Sequence, residues 1–279
     1  MAAATGLGQV ETMWGLFWRP VVAAVVGGAA CGVVGVWIVM LNLPFVGVAM
    51  SHAAFAGAIA GLLGGVNPLV TSLAFCVAAA LAIGPLADRA DVEPGVSLGI
   101  VFSLMLGLAF LGIGLLPGPR TEALGFIWGS ILLVTTSDLI VLGASTLAVL
   151  GFMALFRKEI ATMLFSREVA RAVGIHERPL FLAMLALCGL TVTANLNTIG
   201  GLLIFSLVVN PPSAAYQLAW RLKTMYLLSA VFAVASCLAG LAASWLFDVP
   251  AGAVIIVAST VIFGVSLLLS PKRRRPRVA

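Results

Sequence analysis

Long stretches of this chain carry no charged side chain. None occurs between Val21 and Ala87, and none between Leu180 and Trp220. Only 9% of the residues are charged and 62% are apolar, whereas about 25% of the residues in a soluble domain are charged. A charge at the centre of a bilayer costs about 3 kcal/mol, so uncharged stretches of this length are typical of helices in hydrocarbon. The sequence therefore predicts an all-α, polytopic integral membrane protein.

The apolar segments are long enough to cross a bilayer as helices. A helix rises about 1.5 Å per residue, so about 20 residues span a hydrocarbon core of ~30 Å. Charges, prolines and glycines divide the chain into about nine predicted spans, at residues 21–41, 45–65, 66–86, 95–116, 139–156, 179–194, 198–216, 226–246 and 251–269. Residues 123–137 are apolar but short, which favours a half-helix or a packed loop and leaves eight or ten spans as alternatives. We expect one transmembrane domain over residues 1–279.

The positions of Lys and Arg predict the orientation of the chain. With nine spans and a cytoplasmic C-terminus, only Arg19 and Arg120 of the 15 basic residues lie outside. Cytoplasmic loops of membrane proteins carry an excess of Lys and Arg. The distribution therefore favours a C-terminus in the cytoplasm.

A charged segment at residues 157–178 separates two apolar halves of the chain. It alternates Lys and Arg with Glu, so it cannot lie in hydrocarbon. On the favoured topology it is a cytoplasmic loop, long enough to hold a short helix. We expect a cytoplasmic partner to bind there.

His52 is the one histidine inside an apolar segment. An ionisable residue within a membrane span is a candidate functional residue, and imidazole is a ligand for zinc, copper and iron. A neutral histidine bonded to a backbone carbonyl between helices is an equally good explanation. The neighbouring Ser51 is a second candidate, although a serine in a membrane helix more often bonds a backbone carbonyl.

Three asparagines lie in the uncharged region that follows the charged loop. Asn195 and Asn197 precede a predicted turn, and Asn210 precedes Pro211 and Pro212. Proline lacks the backbone donor that a helix needs, so this pair predicts a break or a kink. Broken helices line cavities in transporters, and an ordinary proline kink is the alternative. The three asparagines are therefore candidates for the lining of a pathway.

Several functions are disfavoured by motifs that the sequence lacks. It contains no HExxH or GxxxxGK[ST] motif and only two histidines as possible bases, so we expect neither hydrolytic chemistry nor ATP hydrolysis by this chain. The four cysteines lie singly in apolar runs, which is typical of buried thiols. The net charge of +5 comes largely from the tail at 271–279 and does not indicate nucleic-acid binding.

Four segments of the chain, taken in order, resemble one protein family. They are 43–61 (LPFVGVAMSHAAFAGAIAG), 125–138 (GFIWGSILLVTTSD), 165–175 (FSREVARAVGI) and 197–215 (NTIGGLLIFSLVVNPPSAA). Their sequences, order and spacing resemble the ABC-3 family of permeases, the membrane subunits of bacterial zinc, manganese and iron importers. The resemblance extends from about residue 17 to residue 264.

The resemblance implies an assembly in a bacterial plasma membrane. A homodimer of the permease would bind two cytoplasmic ATPase subunits, and an extracytoplasmic metal-binding protein would deliver the ion. Segment 165–175 would be the helix that couples the permease to the ATPase. The implied coupling residues are Ser166, Arg167, Glu168, Ala170, Arg171, Gly174 and Ile175, of which Ser166 and Arg167 replace the family's Asp and Pro.

The resemblance also implies that His52 is a ligand of the ion in transit. Val48 stands where the family often has an Asp, four residues before the histidine. Imidazole without this carboxylate favours zinc over manganese as the cargo, and no stably bound cofactor is expected. Two other functions remain open: a permease for an iron chelate or another small solute, and an ion-coupled secondary carrier, which would need acidic residues inside its spans.

Overall fold

The described part of the chain is built of helices alone. The structure, a computed structural model, describes residues 2–90, 94–117, 123, 125–126, 129 and 131–272, with the backbone alone at 2–17, 84–90, 94, 132, 197 and 202. The helices are α1 (Ala2–Met40), α2 (Phe45–Gly64), α3 (Pro68–Ala90), α4 (Pro94–Leu115), α5 (Thr136–Leu155), α6 (Arg157–Phe165), α7 (Arg167–Ala172), α8 (Glu177–Ile199), α9 (Gly201–Leu218), α10 (Leu222–Phe247) and α11 (Ala251–Leu268). No strand occurs among these residues, which confirms the predicted all-α membrane fold.

Helix starts follow from local sequence. Pro68 and Pro94 are the first residues of α3 and α4, a position where the N–H that proline lacks would have no partner within the helix. At the start of α5, the Thr135 side chain accepts a hydrogen bond from the N–H of Asp138, and the Asp138 carboxylate accepts one from the N–H of Thr135. This capping box satisfies two otherwise unpaired donors.

The number of full spans differs from the prediction. Seven helices in the described residues are long and apolar enough to cross a membrane, where the sequence predicts about nine. Helix α3 has 23 residues, but its side chains are described only over the shorter apolar segment Pro68–Ile83, so it is not among the seven. Helix α9 carries Asn210 and Gln217 beside two prolines, and these polar residues lower its hydropathy.

Helix α9 runs through Pro211 and Pro212 without interruption, so the predicted break does not occur. The N–H that Pro212 lacks would have bonded the carbonyl of Val208. That carbonyl lies against Gly35 of α1, where a side chain would overlap it. The Cα–H of Gly35 faces the carbonyl oxygen of Val208 and can form a weak hydrogen bond with it. A neighbouring helix thereby supports the continuous backbone.

Three helices form the interior of the bundle. Helix α1 packs along α9 and α10, α2 packs along α3 and α4, and α8 contacts α2, α3 and α5. Most side chains in the spans of α1, α2 and α8 are buried, whereas only 17% of those in α5 and in α11 are. The exposed side chains on α4, α5 and α11 are largely Leu, Ile and Val, as expected for surfaces in contact with lipid.

The charged segment folds into two short helices, α6 and α7, before α8 begins at Glu177. This agrees with the expectation of a loop that holds a helix. Upstream, the described residues of the apolar stretch 123–137 include helical positions at 123, 125 and 126 and a turn of 3-10 helix at Ile131–Leu133 before α5 starts at Thr136. Residues 118–122, 124, 127–128 and 130 are not among the described residues.

Candidate functional site

His52 lies on α2 and is almost fully enclosed by neighbouring helices. The residue is 8% exposed, and its ring packs edge-on against Phe102 of α4 with 4.8 Å between the ring centroids. Nδ1 lies 2.9 Å from the carbonyl oxygen of Val48, one helical turn earlier. A carbonyl oxygen can only accept, so Nδ1 carries the proton and Nε2 carries the lone pair. Among the described residues, Nε2 has no hydrogen-bond partner.

This arrangement fits both hypotheses for His52. A histidine that binds a metal through one nitrogen usually donates its other N–H to a carboxylate or a backbone carbonyl. The bond to Val48 provides that contact and leaves Nε2 available. The same bond also satisfies a structural histidine within its helix.

Asn195 is fully buried where α8 meets α1 and α5. Its amide donates to the carbonyl of Thr191 at 2.8 Å. Its Oδ1 is one of two buried side-chain polar atoms in the described residues without a hydrogen-bond partner, and it faces Gly27. An unsatisfied buried acceptor costs about 1–3 kcal/mol. This oxygen would gain a partner if water entered between α1 and α8.

The remaining polar candidates make contacts within or between helices. Ser51 is buried and donates its hydroxyl proton to the carbonyl of Gly47. The Asn210 amide donates to Ser259 at 3.1 Å and to Thr260 at 3.0 Å, which joins α9 to α11. The side chain of Asn197 lies outside the described residues. The structure therefore does not bring the candidates together, since His52 faces α4, Asn195 faces α1 and Asn210 faces α11.

One chain does not assemble a metal site from the usual ionisable ligands. In the part of the chain that the structure describes, no three His, Cys, Asp or Glu side chains lie close enough to hold an ion. The cysteines are free thiols in the interior, namely Cys31, Cys76, Cys188 and Cys237. Among the described residues, His52 is the one histidine that lies within a span, and it remains the candidate ligand there.

Helix α7 occupies the centre of the predicted coupling segment. Ser166 precedes it, and its hydroxyl accepts a hydrogen bond from the N–H of Val169 at 3.3 Å. Ala170 is fully buried. After the helix, Gly174 adopts a φ of 83°, a conformation that glycine reaches without a steric penalty. The chain then turns so that the N–H of Ile175 donates to the carbonyl of Ala170.

The outer surface of this segment is apolar as well as charged. Phe165, Val169 and Val173 are 83%, 43% and 64% exposed, and Glu168 and Arg171 are exposed beside them. A cavity of about 420 Å³ lies next to this surface, lined by Phe152, Phe156, Glu159, Gly174, Ile175, His176, Pro179, Leu180 and Ala183. Exposed apolar groups rimmed by charges are typical of a protein-binding surface.

Glu177 was not identified as a functional residue from the sequence. Its carboxylate forms ion pairs with Arg167 at 3.0 Å and with Arg171 at 3.2 Å. The one signal in the sequence was the set of opposite charges on either side of Gly174. Such charges form a pair only if the turn at Gly174 folds the two sides together.

These features define a multi-pass helical membrane protein with a charged helical segment between its spans. The sequence profile of the ABC 3 transport family matches residues 13–270. The chain therefore belongs to the ABC 3 transport family, and the resemblance found in its sequence is confirmed.

Relatives with named functions cover nearly all of the chain. The manganese transport system membrane protein MntC of Listeria innocua is 28% identical over 260 residues, 93% of this chain and 92% of the relative. The high-affinity zinc uptake system membrane protein ZnuB of Haemophilus influenzae is 27% identical over 241 residues, 86% of this chain and 91% of the relative. The structure of PsaBC from Streptococcus pneumoniae in complex with Fab is similar with a TM-score of 0.84 and 26% identity, over 95% of this chain and 97% of that one.

Proposed function

We propose that the chain is the membrane-spanning subunit of an ATP-driven importer for a divalent transition metal, zinc or manganese. It lies in the plasma membrane with its C-terminus in the cytoplasm. The observation that carries the proposal is His52, a buried imidazole whose Nδ1 bonds Val48 at 2.9 Å and whose Nε2 has no partner among the described residues. The neutral imidazole that this bond favours is the form that binds a metal.

The cargo site needs ligands beyond one histidine. A zinc site takes about four ligands, and the described residues of one chain supply no cluster of three. A second copy of the chain supplies a second His52, and water or the delivering protein supplies the rest. A homodimer with a transient ion between its copies therefore fits the chemistry better than a resident metal in each copy.

The choice between zinc and manganese depends on the missing carboxylate. Val48 gives the site no oxygen ligand at the position where the family often has Asp, and imidazole without carboxylate suits zinc better than manganese. The relatives do not decide between the two metals, because the Listeria protein is named for manganese and the Haemophilus protein for zinc. We propose zinc as the preferred ion on the chemistry of His52.

ATP hydrolysis is assigned to a separate cytoplasmic subunit, because the chain has no P-loop motif. Its docking surface is α7 with the exposed side chains of Phe165, Val169 and Val173. The adjoining cavity of about 420 Å³ is large enough to accept a side chain from the ATPase. An extracytoplasmic metal-binding protein delivers the ion on the other face.

The orientation is supported by basic residues on the face that carries α7. Helices α8 to α11 are joined by short turns, so the start of α8 and the ends of α9 and α11 lie on one face. Arg221 and Lys223 follow α9 there, and Lys272 follows α11 with its ammonium 3.8 Å from the ring centroid of Tyr216. Burial at this position lowers the pKa of Lys272. A face rich in Lys and Arg is the cytoplasmic one.

The proposal is tested by reconstituting the chain with its ATPase and its binding protein in vesicles. Uptake of radioactive zinc, manganese and iron is measured with ATP, and with ADP as the control. We expect ATP-dependent uptake of zinc above that of manganese. A bound, active ATPase without uptake of any of the ions would refute metal import and favour a chelate or another solute. Preferred uptake of manganese would refute only the choice of zinc.

A further inference from the structure

One carboxylate joins the coupling helix α7 to the membrane helix α8. Glu177 is the first residue of α8, and its Oε2 lies 3.0 Å from Nη2 of Arg167. Its Oε1 lies 3.2 Å from Nε of Arg171. Each carboxylate oxygen is therefore engaged by a different arginine. The Glu177 side chain is only 16% exposed, so these pairs are less screened by solvent than pairs on an open surface.

Arg167 has a second contact on α8. Its guanidinium lies over the ring of Phe181, 4.4 Å from the ring centroid. Phe181 is four residues after Glu177, so the two side chains lie on the same face of α8. Arg167 is thus fixed by an ion pair and a cation–π contact one turn apart. Because Arg167 contacts α8 at two points, it fixes the orientation of α7 relative to α8, which a single contact would not.

Helix α7 cannot hold this orientation by itself. It has six residues, far fewer than the ~12 that an isolated helix needs to be stable in water. Its other contacts are its packing on α6, the buried methyl group of Ala170 and the partly buried Ile175 just after it. Apolar contacts are non-directional, so they keep α7 close to the bundle but constrain its rotation less than the ion pairs do. The angle between α7 and α8 therefore depends on the pairs that Glu177 makes.

We propose that Glu177 is a positioning residue that makes α7 and α8 move as one body. A displacement of α7 by the ATPase is then passed to α8, which carries the buried Asn195 near its other end. Such coupling travels through contacts between rigid elements. The inference rests on the proposed function in one respect, since it needs an ATPase at α7. Docking itself depends on the exposed apolar side chains of Phe165, Val169 and Val173, whereas the ion pairs of Glu177 are made with two arginines at the charged rim of that surface.

The test uses substitutions matched in chemistry. Glu177→Gln keeps the shape of the side chain and removes its charge. Asp248→Asn is the control, because Asp248 follows α10, away from α7, and forms no ion pair within the described residues. Glu177→Asp keeps the charge on a side chain that is shorter by one methylene. It should therefore keep part of the coupling between α7 and α8 that Glu177→Gln loses.

The first measurement needs only the chain itself, in lipid nanodiscs. Hydrogen exchange at the amides of residues 169–175 reports how firmly α7 is held. We expect faster exchange there in Glu177→Gln, with Asp248→Asn unchanged from the original chain. Equal exchange in all three would overturn the inference, whatever solute the protein carries.

The second measurement uses the complete complex in vesicles. We expect Glu177→Gln to retain the ATPase on purification and to hydrolyse ATP, while solute uptake per ATP falls about fivefold or more. Glu177→Asp should recover part of that ratio. An unchanged ratio, or loss of the ATPase from the complex, would overturn the positioning role. Failure of the original complex to import metal would contradict the proposed cargo alone, and the exchange measurement would still decide on Glu177.

Discussion

Alanine at position 35 should destabilise the protein, although alanine favours a helix more than glycine does. A Cβ at Gly35 would overlap the carbonyl oxygen of Val208 and lie 2.7 Å from Cγ of Pro212. Ordinary contacts are about 3.5–4.0 Å, so α1 and α9 would have to separate by about 1 Å. Overpacking costs about 1–3 kcal/mol, and the lost Cα–H contact costs about 0.5–1 kcal/mol. The higher helix propensity of alanine offsets about 1 kcal/mol of this cost. The free energy of unfolding should therefore fall by about 2 kcal/mol in total.

The matched control for this substitution is Gly107→Ala on α4. A Cβ at Gly107 would meet nothing within 4 Å, so the same chemical change occurs without overlap. We expect no loss of stability there and a gain of up to about 1 kcal/mol from helix propensity. The comparison therefore separates packing from propensity, because both glycines lie in helix interiors.

The cysteines provide the assay. All four are buried and free, so a dye that fluoresces on reaction with thiols reports unfolding in detergent. A loss of about 2 kcal/mol corresponds to a fall in Tm of about 4–8 °C for a chain of this size. Gly35→Ala should show that fall, and Gly107→Ala should not. Equal Tm values for the two variants would refute the close approach of α1 to the carbonyl of Val208.

Two further substitutions test the candidate sites. His52→Ala should lower metal uptake while the ATPase still co-purifies, because Nε2 is lost from the pathway and α7 is untouched; unchanged uptake would leave His52 with a structural role alone. Gly174→Glu should abolish co-purification of the ATPase, because it places a charge on the contact surface. Gly174→Ala controls for the positive φ of 83°, which costs a side chain about 1–2 kcal/mol, and it should retain more of the ATPase. Normal co-purification with Gly174→Glu would contradict the coupling assignment.

Local sequence predicted the helices well: seven helices among the described residues are long and apolar enough to be spans, against about nine predicted. Each apolar segment lies on a helix, because an uncharged run of about 20 residues in lipid must satisfy its backbone internally. The count differs at α9, whose polar residues lower its hydropathy, and at α3, whose side chains are described only as far as Ile83. The predicted break at Pro211 failed for another reason. The neighbour that supports the freed carbonyl of Val208 is Gly35, far away in the sequence.

The contacts of the candidate residues are likewise of two kinds, those within one helix and those between helices. The Nδ1 bond of His52 to Val48 lies within one helix, and a sequence can suggest it. The ring of Phe102 beside it belongs to α4, and the partners of Asn210 belong to α11. The sequence does not reveal which helices meet, so it could not place Asn210 between α9 and α11 or Asn195 against α1.

The sequence by itself determined the all-α membrane fold, the capped helix starts, the charged segment at residues 157–178 and the position of His52 inside an apolar span. Each of these depends on the polarity of a residue and its near neighbours along the chain. The tertiary structure alone decided that Glu177 joins two arginines across the turn at Gly174, and that Asn195 keeps an unpaired oxygen inside the bundle. Those contacts depend on distances between helices and across turns, which arise only when the chain packs.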